Sequence, residues 1–263
     1  MTLKTQSWGR GETKALFIHG FAGTAGAFAH LEPLLGDFLS ARSVELPGHS
    51  GTPVASWDET IDAIGALLDE RTVLIGYSQG ARIALGVAAR FPEKIDRLIL
   101  ESCAPGFRRR RDRMLRRQGD AVLADLVLER GVESFVEYWE NLPLFAGLRT
   151  LPKVEQDALR SRRTAHTAEG LAGALRELGQ GAQPDLWPTL QGLRMPVLLL
   201  AGAQDEKYAR LTRKMSVDLP LSWRAIFKDV GHAPHLECPA LYAAEVRNFI
   251  LPRWLNEPQE LAP

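Results

Sequence analysis

The chain has 263 residues, 45% of them hydrophobic, and its 32 basic and 32 acidic side chains leave a formal net charge of zero. That length suits a single α/β domain carrying an insertion, and the apolar fraction suits a packed core. Charge neutrality argues against a protein whose main business is non-specific nucleic-acid binding. Cys103 and Cys238 lie far apart without metal-ligand spacing, so they read as buried small hydrophobes in a reducing compartment. No metal or cofactor is expected. The first seven residues contain no apolar signal core, and no apolar run approaches the roughly 18 residues of a membrane span. The expectation is a cytoplasmic protein without a membrane span, a monomer or weak homo-oligomer.

Taken in chain order, Ala15-Leu16-Phe17-Ile18 is a short apolar run that ends at His19-Gly20-Phe21-Ala22-Gly23. It reads as a buried strand entering a loop. Val44-Glu45-Leu46 enters a Pro47-Gly48 turn, which sets a tight bend and leaves His49 and Ser50 either at an active-site rim or in a plain turn. Helical spacing follows over 57–69, with Asp58 placed to favour the first turn. The run 72–76 is a further strand, after the strand edge at Val44-Glu45-Leu46, and an alanine-rich helix over 79–90 follows it. Between them stands Gly76-Tyr77-Ser78-Gln79-Gly80. Strand, tight turn and helix around a G-x-S-x-G pentapeptide make a nucleophile elbow, which lifts Ser78 clear of its surroundings. A further strand fits 95–101. Strands alternating with helices argue for a parallel sheet with right-handed crossovers.

The texture changes over 107–190, which is rich in Arg, Leu and Glu and shows helical spacing without a strand pattern. Gly131, Pro143, Gly147, Pro152, Gly170 and Gly179 are expected to divide it into short helices. It reads as a helical cap over the carboxyl ends of the strands, where an open α/β sheet binds its ligand. Residues 1–106 and 191–263 would form the core domain. Strands resume at 195–202 and 223–227, and 241–255 closes the chain as an amphipathic helix.

Ser78, Asp205 and His232 each follow an expected strand, so in a parallel sheet they converge on one edge. Their order in the chain is the one this elbow fold requires. His232 would hold or remove the Ser78 proton, and Asp205 would fix the imidazole. His235 competes for that place, but His232 follows Gly231, which lets the loop turn. The backbone N–H groups of Phe21 and Gln79 would face a developing oxyanion. Arg82 falls one helical turn after Ser78, and a guanidinium there suits carboxylates, which points to a small anionic substrate. The dense arginine run at 108–117 reads mostly as solvated helix surface, since it lacks the interleaved aromatic residues of a nucleic-acid site.

Several stretches resemble a known family. They are Gly76-Tyr77-Ser78 with Arg82, Leu100-Glu101-Ser102-Cys103-Ala104-Pro105-Gly106, and Trp139 with Leu142-Pro143-Leu144-Phe145. Further stretches are Gly181-Ala182-Gln183-Pro184-Asp185-Leu186-Trp187 and Gly231-His232 with His235-Leu236-Glu237. The chain resembles the α/β-hydrolase superfamily throughout. Within it, the chain is similar to the 2-succinyl-6-hydroxy-2,4-cyclohexadiene-1-carboxylate synthases of menaquinone biosynthesis. It departs from that pattern at Gln79, Ala81 and Glu45. The resemblance implies an α/β-hydrolase fold, a mostly parallel sheet flanked by helices with a helical cap insertion. It also implies a lyase, in which the serine acts as a base and pyruvate leaves without an acyl-enzyme. Tyr77, Arg82, Trp139 and Arg163 are the substrate contacts it implies, while Leu144 and Phe145 are expected in the core. The competing readings are a carboxylesterase or C–C bond hydrolase with Ser78 as nucleophile, and a non-catalytic receptor on the same fold.

Overall fold

The computed structural model describes residues 1–69 and 71–251. Seven strands form one sheet: β1 (Thr5–Trp8), β2 (Thr13–Ile18), β3 (Leu39–Val44), β4 (Thr72–Tyr77), β5 (Ile95–Glu101), β6 (Val197–Gly202) and β7 (Ser222–Phe227). Their spatial order is β1-β3-β2-β4-β5-β6-β7. Among the described residues only β1 runs antiparallel to its neighbour, and the other pairings are parallel. The direction of winding reverses between β2 and β4, so a crevice opens at their carboxyl ends. The loop at 19–23 and Ser78 leave from those two ends.

The helices are α1 (Glu32–Leu35), α2 (Trp57–Gly65), α3 (Gln79–Arg90), α4 (Arg110–Glu140), α5 (Lys153–Thr164), α6 (Ala168–Leu178), α7 (Glu206–Asp218), α8 (Pro234–Glu237) and α9 (Pro239–Ile250). The central strands are apolar on both faces because helices cover both, and their side chains alternate between two cores. Leu16, Ile18, Leu74, Leu98, Leu100 and Leu199 pack against α2 and α3 through Ile61, Ile64, Ile83 and Val87. Phe17, Ile75, Ile99, Leu198 and Leu200 pack on the other face against Phe28, Leu31, Tyr242 and Val246. Fully burying one such side chain is worth about 1.5–3 kcal/mol, so a one-residue slip in any central strand would exchange both cores at once.

Between β5 and β6 the described residues form helices and turns but no strand. α4 and α6 pack together through Ala124, Val127, Phe135, Leu171 and Leu175. Ala22 and Phe21, from the loop after β2, join this cluster.

Several expected boundaries shift. The helix from Trp57 ends at Gly65, because the chain turns there, and its start carries a reciprocal capping box between Ser56 and Glu59. Gly131 does interrupt α4, with φ 76° inside an otherwise continuous run. Gly170 interrupts nothing and lies within α6, against the carbonyl of Gly48. β1 and α7 were not expected from the pattern. α9 ends at Ile250, and the rest of the expected closing helix, 252–255, lies outside the described residues.

Candidate active site

Ser78 sits at φ 52°, ψ −108°, a conformation that an L-residue rarely adopts and that costs on the order of 1–3 kcal/mol. The turn holds because strand and helix backbones touch through its glycines. A methyl group on Gly76 would lie 2.4 Å from the Gly80 carbonyl oxygen, and one on Gly80 would lie 2.0 Å from that of Ile18. Ser78 donates its own N–H to the Glu101 carbonyl at 2.9 Å, and its carbonyl accepts the Arg82 N–H at 3.1 Å. Gln79 opens α3, so its N–H is one of the donors a helix leaves unpaired at its N-terminus.

The Ser78 hydroxyl lies 3.0 Å from His232 Nε2, and His232 Nδ1 donates to Asp205 Oδ2 at 2.6 Å. That second bond places the proton on Nδ1 and leaves Nε2 as an acceptor for the hydroxyl. His232 and Asp205 are both buried. Two backbone bonds hold their loops together: Ala203 N–H to the Phe227 carbonyl at 2.8 Å, and Gln204 N–H to the Val230 carbonyl at 2.9 Å. The other oxygen of Asp205 accepts the Tyr208 N–H at 3.3 Å and so caps α7. His235, the alternative partner, is committed elsewhere. Its Nδ1 and its backbone N–H both donate to Glu101 Oε1, at 2.8 and 3.1 Å.

Beside the loop at 19–23 lies a small cleft of about 40 Å3, lined by Phe21, Tyr77, Arg162, Arg163 and His235 among others. The Tyr77 ring centre is 4.5 Å from that of His235 and 5.5 Å from that of His232. Burial, reinforced by Glu101, pushes the Tyr77 hydroxyl well above the usual tyrosine range. Trp139 stacks on Phe135 and meets the edge of Phe21, with ring centres 5.7 and 5.1 Å apart. Arg163 pairs with Glu140 at 2.8 Å and stands over the Phe145 ring. Arg82 is buried, and its guanidinium donates to the Leu178 carbonyl at 3.0 Å and to Gln183 Oε1 at 3.3 Å. Burial lowers it to about 10, so it stays cationic at neutral pH. Both of these acceptors are neutral, so its charge is not cancelled within either bond.

Residues 15–245 match the family described as Alpha/beta hydrolase family. The chain belongs to that family. A Bacillus subtilis (strain 168) protein provisionally named as a 2-succinyl-6-hydroxy-2,4-cyclohexadiene-1-carboxylate synthase is 34% identical, over 89% of this chain and 88% of its own. The synthase of that name from Serratia proteamaculans (strain 568) is 33% identical, over 90% of this chain and 92% of its own. The solved structure of MenH from S. aureus superposes with a TM-score of 0.89 at 31% identity, covering 95% of this chain and 97% of that one.

Within this alpha/beta hydrolase, the structure brings Ser78, Asp205, His232, Tyr77, Phe21, Trp139 and Arg163 to one end of the sheet, whereas Arg82, on the helix that follows Ser78, is turned to Leu178 and Gln183. Leu144 departs from expectation. It is 36% exposed because its turn faces outward, whereas Phe145 beside it is buried. Residues 108–112 are exposed, as the arginine run suggested. Of the two cysteines, Cys103 is buried and Cys238 only half-buried. His49 is fully buried and accepts the Ala22 N–H through Nε2 at 3.1 Å, so it does not stand at a rim. The sequence assigns no part to His166 or Arg162, and it names Gln183 and Glu237 only within resembling stretches. Glu237 had a legible signal in its fixed spacing after Gly231-His232. His166 had none, since it lies in the insertion between α5 and α6 and only the fold carries it to the loop after β2.

Proposed function

We infer that this protein is a 2-succinyl-6-hydroxy-2,4-cyclohexadiene-1-carboxylate synthase of menaquinone biosynthesis. It would release pyruvate from 2-succinyl-5-enolpyruvyl-6-hydroxy-3-cyclohexene-1-carboxylate. The observation that carries the reading is the likeness to proteins of that name over nine-tenths of the chain, cap segment included. The hydrogen-bonded series Ser78–His232–Asp205 supplies chemistry that agrees with it.

In this reading Ser78 Oγ removes a proton from the substrate ring while its own proton passes to His232 Nε2. Asp205, already bonded to Nδ1, stabilises the imidazolium as it forms. The electron pair of the broken C–H bond becomes a ring double bond, the C–O bond to the enolpyruvyl group breaks, and pyruvate departs as its enolate. The proton held on His232 then passes to the enolate, which becomes pyruvate, and the imidazole is neutral again. Charge building on a substrate oxygen would be met by the N–H groups of Phe21 and Gln79. Arg82 and Arg163, with Tyr77 and Trp139, would hold the carboxylates and the ring. Arginine suits this task because its planar fork matches two oxygens at once.

The test is to supply the enolpyruvyl substrate and follow pyruvate release, with a nitrophenyl ester as control. Pyruvate release with slow ester cleavage is the expected result. Fast ester cleavage without pyruvate would overturn the lyase reading and make Ser78 a nucleophile.

A further inference from the structure

Ala22, the residue after Phe21, is held at both of its backbone polar groups by buried histidines. Its N–H donates to His49 Nε2 at 3.1 Å, and its carbonyl lies 3.2 Å from His166 Nε2. Ala22 needs holding, because at φ 57° it occupies the left-handed region that disfavours a residue with a β-carbon. The tautomers follow from the opposite nitrogens. His49 Nδ1 donates to the Pro47 carbonyl at 3.0 Å, and His166 Nδ1 accepts the Ser50 N–H at 3.0 Å. His166 therefore carries its proton on Nε2 and donates it to Ala22. The two rings meet edge to face, 5.2 Å between centres.

His49 comes from the turn after β3, but His166 comes from the helical insertion, beside the N-terminus of α6. One imidazole thus bonds the insertion to two separate loops of the sheet, at Ser50 and at Ala22. Losing it would leave the Ala22 carbonyl without that donor. The peptide on the far side of Ala22, which joins it to Gly23, would then lose its hold, and Ala22 would be fixed at its N–H only, by His49.

We propose that His166 is a positioning residue: from the insertion it fixes the Ala22 carbonyl, and with His49 on the other side it holds Ala22 in its left-handed conformation and so sets the direction of the preceding Phe21 N–H that faces the reacting substrate. The inference rests on the functional reading above only in taking that N–H as the donor to developing charge. His166 touches neither Ser78 nor His232 in the structure, so its effect should fall on turnover and spare substrate affinity. Burial, the largest cause, favours its neutral form and lowers its pKa; of the other ionisable groups facing it, His19 acts the same way, Glu45 opposes, and His49 stands edge-on to its ring. A second proton on Nδ1 would oppose the Ser50 N–H.

Three variants separate the two bonds. Gln in place of His166 keeps a donor where Nε2 stands, Asn keeps an acceptor where Nδ1 stands, and Ala keeps neither. His166→Ala is expected to lower kcat for pyruvate release about tenfold, as loss of one buried hydrogen bond would, with KM within about twofold of wild type. His166→Gln should recover most of kcat, and His166→Asn should not. Full kcat in the Ala variant, or recovery by Asn equal to that by Gln, would overturn the proposal. Imidazole nitrogen shifts of the wild-type protein give a check that needs no variant: a proton on Nε2 supports the proposal, and one on Nδ1 overturns it. If the wild type releases no pyruvate, the functional reading fails by itself. The same variants are then compared in ester cleavage, where a tenfold loss in kcat restored by Gln supports the positioning role and an unchanged kcat refutes it.

Discussion

The Glu237 carboxylate grips His232 from both sides, accepting the Gly231 N–H at 2.6 Å and the Ala233 N–H at 3.0 Å. From the other direction the Ser102 hydroxyl donates to the His232 carbonyl at 2.8 Å. The loop has no regular secondary structure at His232, so these three bonds fix the imidazole that meets the Ser78 hydroxyl. Glu237→Ala would strand two N–H groups, each at a cost of about 1–3 kcal/mol where it stays buried. We expect kcat to fall at least tenfold with KM little changed, and Glu237→Gln, which keeps one acceptor, to fall between. Steady-state kinetics decide this, and an Ala variant at wild-type kcat would exclude the role.

In the proposed mechanism Ser78 and His232 carry the proton, so removal of either should be far more damaging. Ser78→Ala and His232→Ala are each expected to reduce kcat by roughly 10²–10⁴, the usual reach of a positioned acid–base group. The two losses should not add in the double variant, because the hydroxyl and the imidazole act as one unit. Measuring all three variants under the same conditions tests this. A double variant whose loss equals the product of the single losses would contradict the mechanism.

Arg82 has a structural duty as well as the proposed binding one. Its bond to the Leu178 carbonyl caps the last turn of α6, where a cation is favoured by the helix dipole. Arg82→Ala should therefore raise KM for the anionic substrate and lower the unfolding temperature together. Arg82→Lys should restore part of the charge but not the two-pronged geometry. Calorimetry beside kinetics separates the effects: a KM unchanged in the Ala variant would remove Arg82 from the binding site, whatever the stability.

The buried histidines predict how stability varies with pH. Burial is the largest cause that holds His49 well below the usual histidine value, and burial lowers His166 as well. In the unfolded chain both titrate near 6.5. Below that value the unfolded state binds more protons than the native state, so stability falls as pH falls. The contribution is complete above about pH 6.5 and is lost progressively in acid, by up to about 1.4 kcal/mol per pH unit for each histidine that stays neutral. Urea unfolding at pH 7.5, 6.0 and 5.0 measures the slope. His166→Gln should flatten it, and an identical slope in that variant would show that His166 does not stay neutral in the native protein.

Much of the framework was legible because it rests on local chemistry. The runs at 72–76, 95–101 and 195–202 are apolar without alternation, which only strands covered on both faces tolerate. Gly76 and Gly80 announce the elbow because backbone contact there excludes a side chain. β1 was not legible, since Thr5-Gln6-Ser7-Trp8 shows one buried residue and gains its pairing only from β3. α7 was hidden because the residues after β6 were read for the acid at Asp205, whose second oxygen turns out to start the helix. Leu144 and Phe145 look alike in sequence, and only the turn decides which faces inward. The histidines around Ala22 show the limit most clearly. His49 and His166 are 117 positions apart, and nothing in either neighbourhood announces a shared partner.

The bond between Ser78 and His232 joins residues 154 positions apart, and the long helical segment lies between them. Contacts that distant form only after the entropy of closing the intervening chain has been overcome. β4 can pair with β2 and β5 before β6 and β7 arrive, so half of the sheet could be native while Ser78 still lacks its base. During refolding, activity should return later than the far-ultraviolet signal of the sheet and helices. The enzyme's own turnover would then time the arrival of its last strands.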